Sequence, residues 1–529
     1  MFQSQGLKKF MTSFIQGINR TAKKENKMKE IKESEKNKVI DLIKQIESKL
    51  YIYIKNSKFY ISDKPLDNRP DYIIPEFNFS LQKKFLQRFN LKYPYIAGAM
   101  AKGISSEKMV RELSKSGCMG DFGSAGLSHE KILKTAENLK ADSCNFLVNI
   151  INIPGNQENE LNLLKELLKR DVRSISAGAY IRMTKGLVYF RVKGIKKEND
   201  QILIPNKILA KISRKEVAEN FLKPPPLKII KKLEQEKLIT KEEAKLSQLI
   251  PMSSDIIAEA DSGGHTDKQP AVSLFPEILF LKDIYQKNYP DIYLSAGLAG
   301  GISTPHSALA AFSMGADFIM TGSINQSCLE AGTSDLVKEM LSKAKQGDFE
   351  TAPSADTFEM GGKVQVLKKE NRFASRANFL GKIFQNSDSI EDINKDDREF
   401  IENTVFEKSL KDEWETTKEY FNKTDAGIIE KAEQNPKKKM ALIFRSYLGQ
   451  SSWWAINGIE KRKNDFQIWA GHSMAAFNSY VKNSPLEDFK NRKASEIALK
   501  ILNEAGILSR INFINSLDIP VHFDLKDFW

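Results

Sequence analysis

The chain has 529 residues, of which 41% are hydrophobic, and this is enough for a large core and excludes a disordered chain. No stretch approaches the roughly 20 apolar residues that a membrane-spanning helix needs, so we expect no transmembrane segment. The formal net charge is +13, but the basic residues are mixed with 68 acidic ones. No zinc-finger spacing, aromatic RNA-binding motif or basic-region zipper accompanies them, so we expect no nucleic-acid partner.

The cysteines Cys118, Cys144 and Cys328 lie far apart, in apolar or small-residue surroundings. Their odd number and their spacing fit neither a disulfide framework nor a metal site. We therefore expect reduced, packed thiols, no bound metal and a cytoplasmic location.

Residues 1–50 are rich in Lys and Glu and are predicted to be a basic N-terminal extension. Its apolar residues between positions 7 and 18 recur at helical spacing, which is typical of an amphipathic helix. Such a helix could dock on a partner or touch a membrane surface, but a solvated helix or a poorly ordered tail is the preferred explanation. Residues 51–92 are predicted to be a lead-in with a hairpin, whose strands lie at 51–54 and 59–61.

Strand-like and helix-like segments alternate from residue 93 to about 330, which is typical of a parallel α/β fold. Helices are predicted at 106–116, from 129 with Ser128 as N-cap, and at 158–169. An insertion at about 185–250 adds strands at 188–192 and 202–205, and helices over 214–248 that three prolines break. The predicted barrel strands are 95–97, 119–122, 146–150, 173–177, 209–212, 255–258, 292–294 and 318–320. We therefore predict an α/β fold, a (β/α)8 or TIM barrel.

From residue 331 to 529 the pattern is almost wholly helical. We predict a mainly helical subdomain that covers the mouth of the barrel as a lid, because substrate lids lie over the catalytic face.

Three runs of small residues follow apolar segments: EADSGGHTD at 259–267, SAGLAGGI at 295–302 and MTGS at 320–323. Glycine at such turns lets backbone N–H groups approach a phosphate. Two of the turns follow the seventh and eighth strands, where barrel enzymes commonly bind phosphate. The predicted phosphate-binding residues are Gly300, Gly301, Gly322 and Ser323.

These runs resemble flavin-dependent (β/α)8 enzymes of the nitronate monooxygenase and FMN-type enoyl reductase superfamily. With further segments at 96–104, 321–326, 330–334, 363–368, 444–449 and 467–469, the chain is similar to the PfaD family. Members of that family are the trans-acting enoyl reductases of polyunsaturated fatty acid and trans-acyltransferase polyketide synthases. The resemblance, from about residue 93 to 491, implies that FMN and NAD(P)H reduce α,β-unsaturated acyl thioesters on an acyl carrier protein.

The resemblance also implies site residues. The flavin ring is expected against Gly98, Ala99 and Met100, at the end of the first strand. Further flavin contacts are expected from residues at the ends of other strands, namely Asn149, Lys211, Glu259, Ser262, Gly263 and Gly264.

His265 is the candidate catalytic residue. A reductase must stabilise negative charge on the thioester oxygen when hydride reaches Cβ, and must then protonate Cα. Histidine suits both tasks because its pKa lies near neutrality. Asp261 or Asp267 could orient the imidazole or cap the following helix, and a purely structural role for His265 is the alternative.

The expected partners follow from the same resemblance. No Gly-x-Gly-x-x-Gly fingerprint occurs, so NAD(P)H is expected to bind over the flavin, reduce it and leave before the acyl substrate enters. Acyl carrier proteins are acidic and suit a basic surface, and a homodimer is possible. The favoured carrier-docking residues are Lys363, Lys368, Lys369, Arg372 and Arg376, and ordinary solvated charges on a lysine-rich protein are the alternative.

Three other functions are alternatives. One is a nitronate monooxygenase-like oxidase that consumes nitroalkane and O₂, and another is a non-catalytic flavin-binding protein. The third is an acyltransferase with Ser473 as nucleophile, because Gly471-His472-Ser473 resembles a nucleophile elbow. Ala475 stands where the elbow pattern requires glycine, which argues against the third.

Overall fold

The computed structural model describes residues 33–517, apart from residues 56, 57, 68, 154, 266 and 425. The predicted amphipathic segment near residues 7–18 lies outside this part. The chain divides into two compact units, one made of the residues up to Asn78 and from Gly506 onward, the other of Phe79–Ala505. The domain boundaries predicted at residues 50, 92 and 330 stay predictions.

The first unit contains the helix Glu33–Lys44 and a three-stranded antiparallel sheet. The predicted hairpin is confirmed as β1 and β2, and a third strand, β3, was not predicted. The strands are β1 Leu50–Lys55, β2 Lys58–Ser62 and β3 Tyr72–Ile74. Arg510 ties the unit together, because its guanidinium donates to the carbonyls of Gln45 at 2.8 Å and Ile46 at 2.9 Å.

The second unit contains the predicted barrel, with eight parallel strands in a closed sheet. The barrel strands are β4 Tyr95–Ala97, β5 Met119–Phe122, β6 Phe146–Ile151, β7 Ser174–Gly178, β10 Lys207–Ile212, β11 Asp255–Glu259, β12 Ser295–Ala299 and β13 Phe318–Thr321. Between β7 and β10, the strands β8 Lys196–Glu198 and β9 Gln201–Leu203 form a separate hairpin in the insertion. The fold class predicted from the alternating pattern is therefore confirmed.

The prediction of the seventh barrel strand was wrong in position. The strand is not 292–294 but the run of small residues Ser295–Ala299 that was taken for the following turn. Packing explains the difference, since a Cβ at Gly297 would lie 2.4 Å from the ring of Phe318 in the neighbouring strand. Small residues allow this strand to lie close to a bulky neighbour. A prediction that looks for large apolar residues therefore misses such a strand.

The end of the barrel at the amino termini of the strands is filled by apolar side chains. Phe85 and Phe89 from the helix Lys83–Phe89 join the interior residues Ile96, Leu209 and Phe318. The Phe85 ring is fully buried and stacks on Phe318 with ring centroids 4.2 Å apart. Burying such a side chain contributes about 1.5–3 kcal/mol, so this end of the barrel is a packed core and polar chemistry belongs at the other end.

Helices surround the barrel, and the N-cap predicted at Ser128 is observed, as is a cap at Ser106 that was not predicted. Ser106 and Ser128 accept hydrogen bonds from the backbone N–H groups of Met109 and Lys131. The helices of this region are Lys83–Phe89, Glu107–Lys115, His129–Ala141, Gln157–Lys169, Lys185–Val192, Lys215–Leu222, Leu227–Gln235, Lys241–Leu246, Ala271–Gln286, Pro305–Ser313 and Ser323–Gln326.

The strand predicted at 188–192 was also wrong, because these residues belong to the helix Lys185–Val192. Thr184 caps this helix by accepting from the Leu187 N–H at 3.1 Å, and most of the helix is buried. A short apolar run buried on all sides has no periodicity that separates strand from helix.

The region after residue 331 is mainly helical, as predicted, but it also contains a hairpin that was not predicted. Its strands are β14 Phe349–Pro353 and β15 Lys363–Leu367. The helices are Asp335–Ser342, Phe373–Asn386, Lys395–Phe400, Leu410–Thr424, Ala426–Glu433, Pro436–Asn457, His472–Tyr480 and Ala494–Ser516. Among the described residues, no helix has the length and apolar character needed to cross a membrane.

Candidate active site

The predicted site residues lie at or just beyond the carboxyl ends of the barrel strands. In a closed parallel barrel these ends share one rim, which is where barrel enzymes place their sites. Glu259, Ala299 and Thr321 are the last residues of β11, β12 and β13. The glycine-rich turns that follow them are therefore neighbours around the rim.

The turns after β12 and β13 present backbone donors to open space. Gly300 and Gly301 both have positive φ, +89° and +76°. A Cβ at Gly300 would lie 2.6 Å from the carbonyl oxygen of Ala260, whereas one at Gly301 or Gly322 would meet nothing within 4 Å. No described residue accepts a hydrogen bond from the backbone N–H of Gly301, Gly322 or Ser323. The turns have the form that an anionic group requires.

The turn after the first barrel strand lies directly beside the turn after the eighth. The Gly98 N–H donates to the Thr321 carbonyl at 2.8 Å. The Ser105 hydroxyl donates to the Gly98 carbonyl at 2.7 Å and accepts from the Met100 N–H at 3.0 Å. The segment of Gly98, Ala99 and Met100 is therefore fixed next to the predicted phosphate turn.

A chain of buried polar groups joins the three neighbouring barrel strands β5, β6 and β7. The Asn149 amide donates to the Ser176 hydroxyl at 2.8 Å, and that hydroxyl donates to Asp121 at 2.6 Å. Burial raises the pKa of Asp121 to about 6, against the hydrogen bond from Ser176 and the positive charge of Lys211. Asn149 lies near the rim, and its amide group donates to Ser176.

Asp121 was missed by the sequence analysis. The one signal in the sequence was a carboxylate inside the predicted strand 119–122. The structure shows this strand to be buried throughout, where such a group is rarely found without a partner.

Lys211 and Glu259, predicted separately as flavin contacts, form an ion pair of 3.0 Å between adjacent strands. Burial alone lowers the pKa of Lys211, but the negative charges of Glu259 and Asp121 outweigh it and raise the pKa. The ammonium group is therefore a fixed positive charge among the rim residues.

The turn with two glycines after β11 lies against the helical region. A Cβ at Gly263 would lie 2.8 Å from the Ala470 backbone, so this position requires glycine. Gly264 has a φ of +108°, and a Cβ there would meet nothing within 4 Å. Ser262 comes directly before the Gly263 contact with Ala470, and His265 follows it and is exposed.

His265 is held by two side chains that the sequence analysis did not connect with it. Its Nε2 atom lies 3.1 Å from the Ser354 hydroxyl and 3.3 Å from an Asp356 carboxyl oxygen. The hydrogen bond to Asp356 raises the pKa of His265, against the effect of burial. Burial would raise the pKa of Asp356, but His265 outweighs it and lowers that pKa to about 2.

The carboxylates adjacent to His265 in sequence have other partners. Asp267 accepts from the Arg214 guanidinium at 2.6 Å, and Asp261 accepts from the Gln365 amide at 3.2 Å. The helix that follows has Pro270 as its N-cap. The predictions that Asp261 or Asp267 orients the imidazole or caps this helix are therefore not supported, because Asp356 occupies the orienting position.

Three segments of the region after residue 331 contact the rim turns. Gln365 of β15 bonds Asp261, and the Gly471 N–H donates to the Ser323 hydroxyl at 3.1 Å. The Lys102 ammonium, beyond the first barrel strand, donates to the Gly449 carbonyl at 3.2 Å. This region therefore meets the rim at the turns that carry the predicted site.

Ser473 does not have the geometry of a nucleophile elbow. It is the second residue of the helix His472–Tyr480 and is absent from the described residues with positive φ. A nucleophile elbow places its serine on a strained turn between strand and helix.

Of the favoured docking residues, Lys363, Lys368 and Arg372 are exposed. Arg376 is not available, because it forms an ion pair with the buried Asp465. Lys369 donates to the Lys343 carbonyl at 2.7 Å. The exposed positive charge of this segment is therefore smaller than its sequence suggests.

A closed parallel barrel with open glycine turns and a histidine at its carboxyl rim defines the chain as a (β/α)8 protein with an enzyme-like site. One solved structure, the enoyl reductase domain of MlnA from the macrolactin biosynthesis cluster of Bacillus amyloliquefaciens, is 38% identical with a TM-score of 0.78, over 82% of this chain and 98% of that one. The chain belongs to the PfaD family of enoyl reductases.

Longer proteins are also similar to the chain. The polyketide biosynthesis protein PksE of Bacillus subtilis (strain 168) is 43% identical over 430 residues, 80% of this chain and 56% of that protein. A component of the polyunsaturated fatty acid synthase of Thraustochytrium sp. is 37% identical over 456 residues, 84% of this chain and 30% of that protein. The chain thus spans about half of PksE and a smaller share of the synthase component.

A family model described as the inserted helical domain of acyl-carrier-protein S-malonyltransferase matches residues 387–466. The match lies in the helical region and ends before Ser473.

Proposed function

We propose that the protein is an FMN-dependent enoyl reductase that uses NAD(P)H to reduce α,β-unsaturated acyl thioesters on an acyl carrier protein, in polyketide or polyunsaturated fatty acid biosynthesis. The observation that carries the proposal is the position of His265, on the rim turn adjacent to open phosphate-type turns and hydrogen-bonded to a carboxylate. The similarity to the enoyl reductase domain of MlnA supports the reaction class.

The rim residues fit a flavin mononucleotide. The backbone N–H groups of Gly301, Gly322 and Ser323 would hold the phosphate, in the space that a Cβ at Gly301 or Gly322 would enter. The fixed segment of Gly98, Ala99 and Met100 would support the ring. When bound, FMN would supply the hydride chemistry that connects NAD(P)H with the acyl Cβ.

The chain's own contribution to the chemistry is a proton and a positive charge. A protonated His265 would donate a hydrogen bond to the thioester oxygen as negative charge develops there, and would then supply the proton that Cα requires. Its side chain is 47% exposed in this structure, so an acyl group entering from solvent can reach it.

Anaerobic stopped-flow spectroscopy tests the proposal. The purified protein should be yellow and release FMN on heating, NADPH should bleach its flavin absorbance, and an enoyl thioester should restore that absorbance. Reoxidation by O₂ and a nitronate but not by the enoyl thioester would instead indicate the oxidase. A colourless protein that binds no added FMN would contradict the cofactor assignment.

Acyl transfer has less support. The family model that names a malonyltransferase covers its inserted helical domain, and Ser473 lies in a regular helix outside that match.

A further inference from the structure

The imidazole of His265 is held from a distant part of the chain. Ser354 and Asp356 lie between the strands β14 and β15, 89 residues from His265 in the case of Ser354. Ser354 is 2% exposed, and its backbone N–H donates to the Gly362 carbonyl at 3.0 Å. The hairpin thus presents a hydroxyl and a carboxylate to one nitrogen of the ring.

The hydrogen-bond pattern identifies which nitrogen carries a proton. A serine hydroxyl has a single hydrogen, and Ser354 gives it to Asp356. In this arrangement the Ser354 oxygen accepts from His265, which places a proton on Nε2 between Ser354 and Asp356. Nδ1 is the nitrogen for which no described residue provides a partner.

We propose that Asp356, supported by Ser354, is a positioning residue that binds the Nε2–H of His265, leaves Nδ1 for the substrate and keeps the ring protonated. The Nε2 contact is independent of the reaction, whereas the use of Nδ1 as the proton donor rests on the proposed function. The hairpin β14–β15 then completes the site that the barrel turn begins.

The charges around His265 favour its protonated form. Asp356 and Glu259 both raise its pKa. The other charged groups of the neighbouring elements are engaged elsewhere: Asp261 with Gln365, Asp267 with Arg214, and Lys211 with Glu259. Burial lowers the pKa of Lys102 to about 8, although the negative charge of Asp356 acts to raise it. Asp356 is the one carboxylate among the described residues in direct contact with the ring.

The experiment is a titration of His265 by NMR in the Asp356→Asn variant. The chain has five histidines, so histidine-labelled protein gives a simple spectrum, and His265→Ala identifies the resonance. Asparagine keeps the size of the side chain but removes its charge, so the His265 midpoint should move to lower pH. Glu359→Gln is the matched control, because Glu359 lies in the same segment but pairs with Lys438 and Arg445.

The same variant should alter the pH profile of enoyl reduction. An acid is active below its pKa, so activity should fall as pH rises through the pKa of His265, and in Asp356→Asn this fall should begin at lower pH. If the pKa drops by about one, the protonated fraction of His265 drops about tenfold at pH values well above the pKa. Ser354→Ala should move the midpoint in the same direction but less, and it serves as the second variant if Asp356→Asn folds poorly.

The outcomes separate this proposal from the proposed function. An unchanged His265 midpoint in both the Asp356→Asn and Ser354→Ala variants would overturn the positioning role, whatever the protein catalyses. A lowered midpoint in a protein that reduces no enoyl thioester would leave the Nε2 contact established and contradict the function.

Discussion

Gly300 and Gly301 form a matched pair that tests the predicted phosphate site. Both have positive φ, so alanine at either position carries a similar backbone cost, about 1–2 kcal/mol for the left-handed region. Their surroundings differ, because a Cβ at Gly300 would lie 2.6 Å from the Ala260 carbonyl oxygen and one at Gly301 would meet nothing within 4 Å. Gly300→Ala should therefore mainly destabilise the fold, and Gly301→Ala should mainly weaken binding of the ligand.

The expected size of each effect follows from this contrast. Gly301→Ala should lower the melting temperature of the flavin-free protein only by the backbone cost, about 1 °C per kcal/mol in a unit as large as Phe79–Ala505. Its methyl group would enter the proposed phosphate space and remove a charge-assisted hydrogen bond of about 1.5–3 kcal/mol, which corresponds to roughly a 10- to 150-fold weaker Kd. Gly300→Ala should lower the melting temperature more, since backbone atoms must move.

Two assays on the same preparations decide the matter. Thermal unfolding of the flavin-free variants measures the cost to the fold, and quenching of FMN fluorescence measures the Kd. If Gly301→Ala bound FMN as tightly as the unaltered protein, the phosphate could not lie on this turn. If the two variants lost equal stability, the steric argument for Gly300 would be wrong.

Three further predictions concern catalysis, stability and partner binding. His265→Ala should leave FMN bound but slow enoyl reduction by about 10²-fold or more, with a smaller effect on flavin reduction by NADPH; full activity would make His265 structural. Phe85→Ala should reduce the free energy of unfolding by about 3–5 kcal/mol, measured by denaturant titration, because the ring is fully buried; a loss below about 1 kcal/mol would contradict the packed barrel end. Charge reversal at Lys368 and Arg372 should raise KM for a carrier-bound substrate severalfold, as should an increase in salt from about 50 to 500 mM. KM for a pantetheine thioester should stay constant, and equal changes for both substrates would remove the docking site from this segment.

The barrel was predictable because its signal is local. Apolar runs such as 318–320 followed by glycine turns repeat along the chain, and each run can be read without knowing its neighbours. The prediction of the seventh strand was wrong because its signal is not local. Its small residues are explained by the ring of Phe318 on the next strand, a contact that the sequence does not display.

The candidate site was predictable only as far as it is made of turn residues. The glycines of the rim and His265 share short motifs, so sequence placed them together. The partners of His265 could not be found in this way, and proximity in sequence favoured the wrong carboxylates. Asp261 and Asp267 are each bound to another side chain, while Asp356 reaches the ring from a hairpin that an almost wholly helical pattern concealed.

That hairpin explains how the helical region is connected with the site. It supplies Asp356 to His265 and Gln365 to Asp261, and Val366 forms a β-bridge with Trp469. Trp469 directly precedes the segment whose Gly471 N–H donates to Ser323 on the phosphate-type turn. The residues matched by the malonyltransferase helical model, 387–466, therefore lie between two segments that contact the rim. Val364 and Val366 of the hairpin, and Trp469, pack in one apolar cluster with these helices. A change in the packing of the helices would therefore be expected to reach both His265 and the predicted phosphate turn.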